Sequence, residues 1–259
     1  MNFPRTLLAA FGAMLVATGT GSAHGTVQVG TVPSIDPVSV SIPYGDAPQQ
    51  FGVLTLPAGA GEPGAVVVLI HGGFWRNRYA LDLMVPLADD LADRGDAVWN
   101  LEYRRVGDDG GGWPGTLEDI AAGIDALTGM AEEHPLDLDR VAVVGHSAGG
   151  HLALWAAGRA ALAEGAPGSD PAVIPAVAVG QGAVVDLSGA HEAQLGSGAV
   201  ANFLGGTPAE VPERYEVAAP QLDAGPRVVS VVGTADDIVP PPFSSDPARP
   251  ELIEMIEIA

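Results

Sequence analysis

Residues 145–149 read Gly145-His146-Ser147-Ala148-Gly149. An apolar run, Val141-Ala142-Val143-Val144, precedes them, and an Ala- and Leu-rich stretch from Ala148 to about Ala163 follows. The run has the length and branching of a buried strand, and the stretch after it has helical composition. Strand, sharp turn with Ser at the apex, and helix together give a G-x-S-x-G match its meaning. The turn lifts the Ser147 hydroxyl above the end of a sheet, and its tight backbone leaves room only for small neighbours. The Ala148 N–H falls at a helix N-terminus, where developing negative charge is stabilised.

A second stretch works with the first. His71-Gly72-Gly73-Phe74-Trp75 directly follows another apolar run, Ala65 to Ile70. The two motifs, in this order and separation, resemble those of an α/β-hydrolase of the esterase/lipase type. The His-Gly-Gly-aromatic-Trp form is similar to that of kynurenine formamidase-like and small esterase-like members. The resemblance covers about residues 50–258. It implies an α/β-hydrolase fold, a mostly parallel twisted sheet flanked by helices. It also implies a serine carboxylic ester hydrolase that works through an acyl-enzyme on small to medium acyl groups. An arylformamidase or a peptidase-like amidase of the same fold is the alternative within this chemistry.

Such chemistry needs an activated nucleophile, a base, and a carboxylate that orients the base. Along α/β-hydrolase chains the order is Ser, then Asp or Glu, then His. Ser147 takes the first place. Asp236, three residues after Gly233 in Gly233-Thr234-Ala235-Asp236-Asp237, resembles the family's acid, with Asp237 as the alternate. The resemblance assigns the oxyanion hole to backbone amides of Gly72, Gly73, Phe74 and Ala148. Trp75 is expected either to wall the substrate pocket or to be a core aromatic. The third triad member is missing: His24, His71, His134, His146, His151 and His191 all precede Asp236. His71 and His146 read as braces of their loops, His151 as packed against the sheet, and His191 as a surrogate base at best. The expectation is therefore a C-terminally incomplete copy of a longer hydrolase. If the chain truly ends at Ala259, a non-catalytic binding protein becomes the third reading.

Composition bounds the rest. The chain has 259 residues with a formal charge of −21, which repels phosphate backbones and excludes nucleic acid as a partner. There is no cysteine, hence no disulfide framework and no thiolate metal site. No His/Asp/Glu cluster has metal-ligand spacing, and the Gly107 to Gly115 loop lacks the lysine of a phosphate loop, so neither metal nor cofactor is expected. The expected partner is a small-molecule ester or amide. Residues 1–23 read as a secretory signal: Arg5, an apolar run from Leu7 to Ala17 too short to span a bilayer, and small residues Gly21-Ser22-Ala23 before His24. Residues 24–259 form the hydrolase domain.

Strands are expected at Thr26 to Val32, Val38 to Ile42, Phe51 to Leu56, Ala65 to Ile70, Ala97 to Leu101, Val141 to Val144, Ile174 to Val179 and Arg227 to Val232. The first three would make an antiparallel leading edge. Leu252 to Ile258 fits a last strand, although Glu251, Glu254 and Glu257 also fit a helical face. Helices are expected at about Ala80 to Arg94, Thr116 to Glu133 and Ala148 to Ala163. Gly180 to Leu204 shows no clear period; the resemblance implies that it forms cap or substrate-pocket structure.

Overall fold

Val66–Ile70 is five apolar residues without alternation, which a strand can only satisfy by burial on both faces. The computed structural model describes residues 37–59, 65–223 and 225–259 and bears this out: all five are buried. Val66, Val68 and Ile70 turn to one core, with Trp99, Leu117, Leu152 and Trp155. Val67 and Leu69 turn to the other, with Met84, Ala88 and Ala92. This two-residue alternation is what allows helices to cover both sides of one sheet.

The sheet has eight strands: β1 Val38–Pro43, β2 Phe51–Leu56, β3 Val66–Ile70, β4 Ala97–Leu101, β5 Val141–His146, β6 Val177–Gln181, β7 Arg227–Gly233 and β8 Glu254–Ile258. Their order is β1-β2-β4-β3-β5-β6-β7-β8. β1 and β2 run antiparallel at the leading edge, and every pair from β4 through β3 to β8 is parallel. The helices are α1 Val85–Asp93, α2 Gly115–Asp125, α3 Leu127–Glu133, α4 Ala148–Ala157, α5 Leu187–Glu192, α6 Ala199–Leu204 and α7 Pro212–Ala218. The signal at residues 1–23 and the strand at Thr26 to Val32 lie outside the described residues.

Several boundaries differ from expectation for local reasons. The first helix begins as a 3-10 turn, Leu81–Met84, and becomes α1 only at Val85, next to Pro86, which has no N–H to donate. The second is two segments hinged at Ala126, although the ladder barely breaks: Ala126 N–H still reaches Ala122, and Met130 N–H reaches Ala126. α4 stops at Ala157 and is capped by Gly158, where the chain passes Gln221 too closely for a side chain. Arg159 then ties the following turn to Asp125 at 2.6 Å. The strand expected at Ile174 to Val179 forms three residues later. Gly180 to Leu204 holds the end of β6 and two six-residue helices, too short to show a period. The last segment resolves as a strand, β8, fixed by pairing with β7 from Val229↔Glu254 to Gly233↔Ile258.

Candidate active site

In open parallel sheets, loops after the carboxyl ends of the strands gather on one edge. The His71 loop follows β3, Ser147 follows β5, Gly182 follows β6 and Asp236 follows β7. Register aligns the ends: Ile70 pairs with Gly145, and His146 with Gln181. Four segments far apart in sequence thus converge.

Ser147 sits at φ 55°, ψ −120°, a left-handed backbone that a non-glycine residue adopts only when its surroundings enforce it. The Ser147 N–H donates to Gln181 O at 2.8 Å, and Ser147 O accepts from His151 N–H at 3.1 Å, the first bond of α4. A side chain at Gly149 would collide with the carbonyl oxygens of Ile70 and His71, so this glycine lets the helix start press against the His71 loop. Ser147 is 7% exposed.

The loop opposite carries three left-handed residues in a row: Gly73 at φ 114°, Phe74 at 54° and Trp75 at 55°. Two of them are not glycine and cost of order 1–3 kcal/mol each, which the surroundings must offset. They do so by hydrogen bonds: Arg76 N–H to Gly73 O at 3.1 Å, Val106 N–H to Trp75 O at 2.8 Å, and the Tyr103 hydroxyl to His71 O at 2.8 Å. Among the described residues, the N–H groups of Gly72, Gly73, Phe74 and Ala148 have no backbone acceptor. Donors held rigid without a partner are what a developing oxyanion requires.

Asp236 is half-buried, while Asp237 is exposed. Asp236 Oδ1 accepts the N–H groups of Ile238 and Val239, both at 2.9 Å, which locks the turn. Its other oxygen faces the space beside Gly182. The charge of Asp236 is felt at His146: loss of water pushes that imidazole below its usual range, and the carboxylate opposes the shift.

Two of the other histidines are committed by ring hydrogen bonds. His71 is fully buried between Gly72 O and Glu102. His151 is fully buried, with Nε2 bonded to Ala218 O at 2.8 Å and its ring edge-on to Trp75 and Phe203. These partners come from the His71 loop, α6 and α7. His191, the surrogate base of the sequence reading, packs edge-on to Tyr215 at 6.4 Å. His134 closes the end of α3, and His24 lies outside the described residues.

Trp75 needs correcting as a pocket wall. It is 1% exposed and stacked on Phe203 at 4.8 Å, so it is a core residue. Phe74, next to it, is half-buried and faces the segment joining α5 and α6: a side chain at Gly196 would meet its ring at 2.5 Å. Arg76 binds the Gly196 carbonyl from the same loop. The sequence reading also missed Glu102 and Arg105, buried beneath the His71 loop. The available signal was the position of Glu102 directly after the expected strand Ala97–Leu101, where a charge that becomes buried needs a partner. Among the described residues, no group of three or more His, Asp or Glu side chains is placed to hold a metal ion, and no helix is long and apolar enough to cross a membrane.

Strand order, the strained Ser turn and the His-Gly-Gly loop beside it define an α/β-hydrolase of the esterase/lipase type. The chain belongs to the BD-FAE family, whose model matches residues 54–248. It is 32% identical over 130 residues to a probable isoprenylcysteine α-carbonyl methylesterase of Arabidopsis thaliana, covering 50% of this chain and 27% of that protein. The chain thus spans about a quarter of the length of this curated relative. Among solved structures it resembles a bifunctional GH43-CE protein of Bacteroides eggerthii, with TM-score 0.70 and 22% identity over 84% of this chain and 34% of that one. It also resembles esterase B from Lactobacillus rhamnosis, with TM-score 0.69 and 21% identity over 86% of this chain and 74% of that one.

Proposed function

We propose that this protein hydrolyses carboxylic esters of small to medium acyl groups, with Ser147 as nucleophile. The Ser147 oxygen attacks the acyl carbon as its proton passes to a base. The alcohol leaves with a proton, and water then releases the acid from the acyl-serine. Amides of Ala148 and of the Gly72-Gly73-Phe74 loop receive the negative charge of each tetrahedral intermediate. Asp236 orients the base. The observation that carries the reading is the left-handed Ser147 backbone pressed against the His71 loop.

His71 and His151 are held by hydrogen bonds elsewhere, and neither they nor His191 are assigned as the base. In the resembled fold the base follows the last strand. Here the end of β8 is held at the Asp236 turn, with Ile258 O accepting the Thr234 N–H at 2.8 Å.

Turnover of nitrophenyl acetate, butyrate and longer esters, set beside N-formylkynurenine, tests the substrate class. Ester turnover falling steeply with chain length supports the reading, and preference for the formamide replaces it with the formamidase alternative. Absence of any turnover by a folded protein favours the binding-protein alternative. The pattern of residues 1–23 supports export, and N-terminal sequencing of the mature protein should begin at His24.

A further inference from the structure

His71 Nδ1 lies 2.8 Å from Gly72 O, and Nε2 lies 3.0 Å from Glu102 Oε1. A carbonyl oxygen can only accept, so Nδ1 must donate. Nε2 then either donates as well, or accepts from a protonated Glu102. The surroundings of Glu102 decide against the second arrangement. Its Oε1 also accepts the Tyr103 N–H at 2.9 Å and lies 2.9 Å from Arg105 Nη1, while Oε2 accepts the Leu81 N–H at 3.1 Å. Burial works against the charge on Glu102, but the His71 bond, the Tyr103 N–H and Arg105 outweigh it and hold the carboxyl below its usual range. A carboxylate that accepts two backbone N–H groups and lies against a guanidinium is ionised, so Nε2 donates to it and both ring nitrogens of His71 carry protons.

Charge balance agrees. Glu102 and Arg105 are buried, and Arg105 Nε also lies 3.3 Å from Oδ2 of the half-buried Asp108. Arg105 is thus shared between two carboxylates and leaves the buried charge of Glu102 incompletely matched, which is costly. A cationic His71 matches it. The remaining groups around the ring are uncharged: Tyr103 stacks on it at 4.5 Å, its hydroxyl kept protonated by burial, and His146, from β5 across Gly72, is pushed toward its neutral form.

We propose that His71 is a positioning residue that works as an imidazolium: held by Glu102, it clamps the Gly72 carbonyl and thereby aims the Gly73 N–H at the oxyanion. The link is the planar trans peptide, in which the Gly72 C=O and the Gly73 N–H point in opposite directions. Clamping the carbonyl on the ring turns the amide away from the ring, and the clamp holds a loop whose next residues are strained. This rests on the reading of that loop as an oxyanion hole.

The test has two arms. Isotope-labelled histidine in the whole protein, observed by NMR at neutral pH, should show two ring N–H protons for His71, identified by contacts with the Tyr103 ring. One ring proton in the folded protein overturns the proposal. In the second arm, Glu102→Gln should remove one ring proton and lower kcat on an ester on the order of 10²-fold, with KM nearly unchanged. A wild-type kcat in a variant whose ring spectrum has changed also overturns it. The ring spectrum needs no turnover, so a folded protein without esterase activity defeats the hydrolase reading and leaves the protonation result to its own spectrum.

Discussion

Gly72 lies against Ser147: a methyl group on Gly72 would sit 3.1 Å from Ser147 Cβ and 2.7 Å from the His146 carbonyl oxygen. Backbone atoms cannot yield as a flexible side chain can, so Gly72→Ala must displace the loop from the nucleophile turn. Removing or misplacing one oxyanion donor costs about 10²–10³-fold in kcat. Gly72→Ala should therefore lose on the order of 10²-fold in ester turnover, with KM less affected, as steady-state kinetics will show.

The two aspartates of the acid turn should separate clearly. Asp236 is half-buried, makes two backbone bonds at 2.9 Å and acts on His146, whereas Asp237 is exposed. Asp236→Asn should slow turnover much more than Asp237→Asn. Equal effects, or the reverse order, would move the acid's role away from Asp236.

Trp75 should report on stability rather than on substrate choice, because it is stacked on Phe203 and closed to solvent. Trp75→Ala should cost about 3–5 kcal/mol, measured by urea unfolding. A variant of unchanged stability with altered acyl-chain preference would restore Trp75 to the pocket.

How far the sequence reached follows from the kind of signal each part leaves. Val66–Ile70 and Val141–Val144 declare buried strands by composition, and Gly145 to Gly149 declares the turn by sterics, so the core and the Ser turn were legible. α5 and α6 were not, because six residues make too few turns for an apolar stripe to repeat. Trp75 was undecidable, since an aromatic beside a motif suits a pocket and a core equally until Phe203, over a hundred residues away, is found stacked on it. Glu102 was visible as a residue but not as a partner, because its pairing with His71 depends on β3 and β4 lying side by side.

Acid should destabilise the fold partly through His151. Burial lowers its imidazole to about 4, opposed by the bond to Ala218 O, against 6.5 when unperturbed. The unfolded chain therefore binds the extra proton first. Stability is intact above the unfolded value and declines as pH falls from it toward the folded one, by about 3 kcal/mol in all and about 2 kcal/mol by pH 5. Urea unfolding of wild type and His151→Gln at pH 7 and pH 5 should show a smaller pH-dependent loss in the variant, which has no proton to gain there. Parallel losses would remove His151 as the cause.

The central claim is that Ser147 is a nucleophile poised beside unpartnered amides. A fluorophosphonate probe followed by intact-protein mass spectrometry addresses it directly. One covalent adduct is expected, mapped to the peptide containing Ser147 and absent in Ser147→Ala. A folded protein that takes up no probe, or a Ser147→Ala variant labelled as fully as wild type, would contradict it.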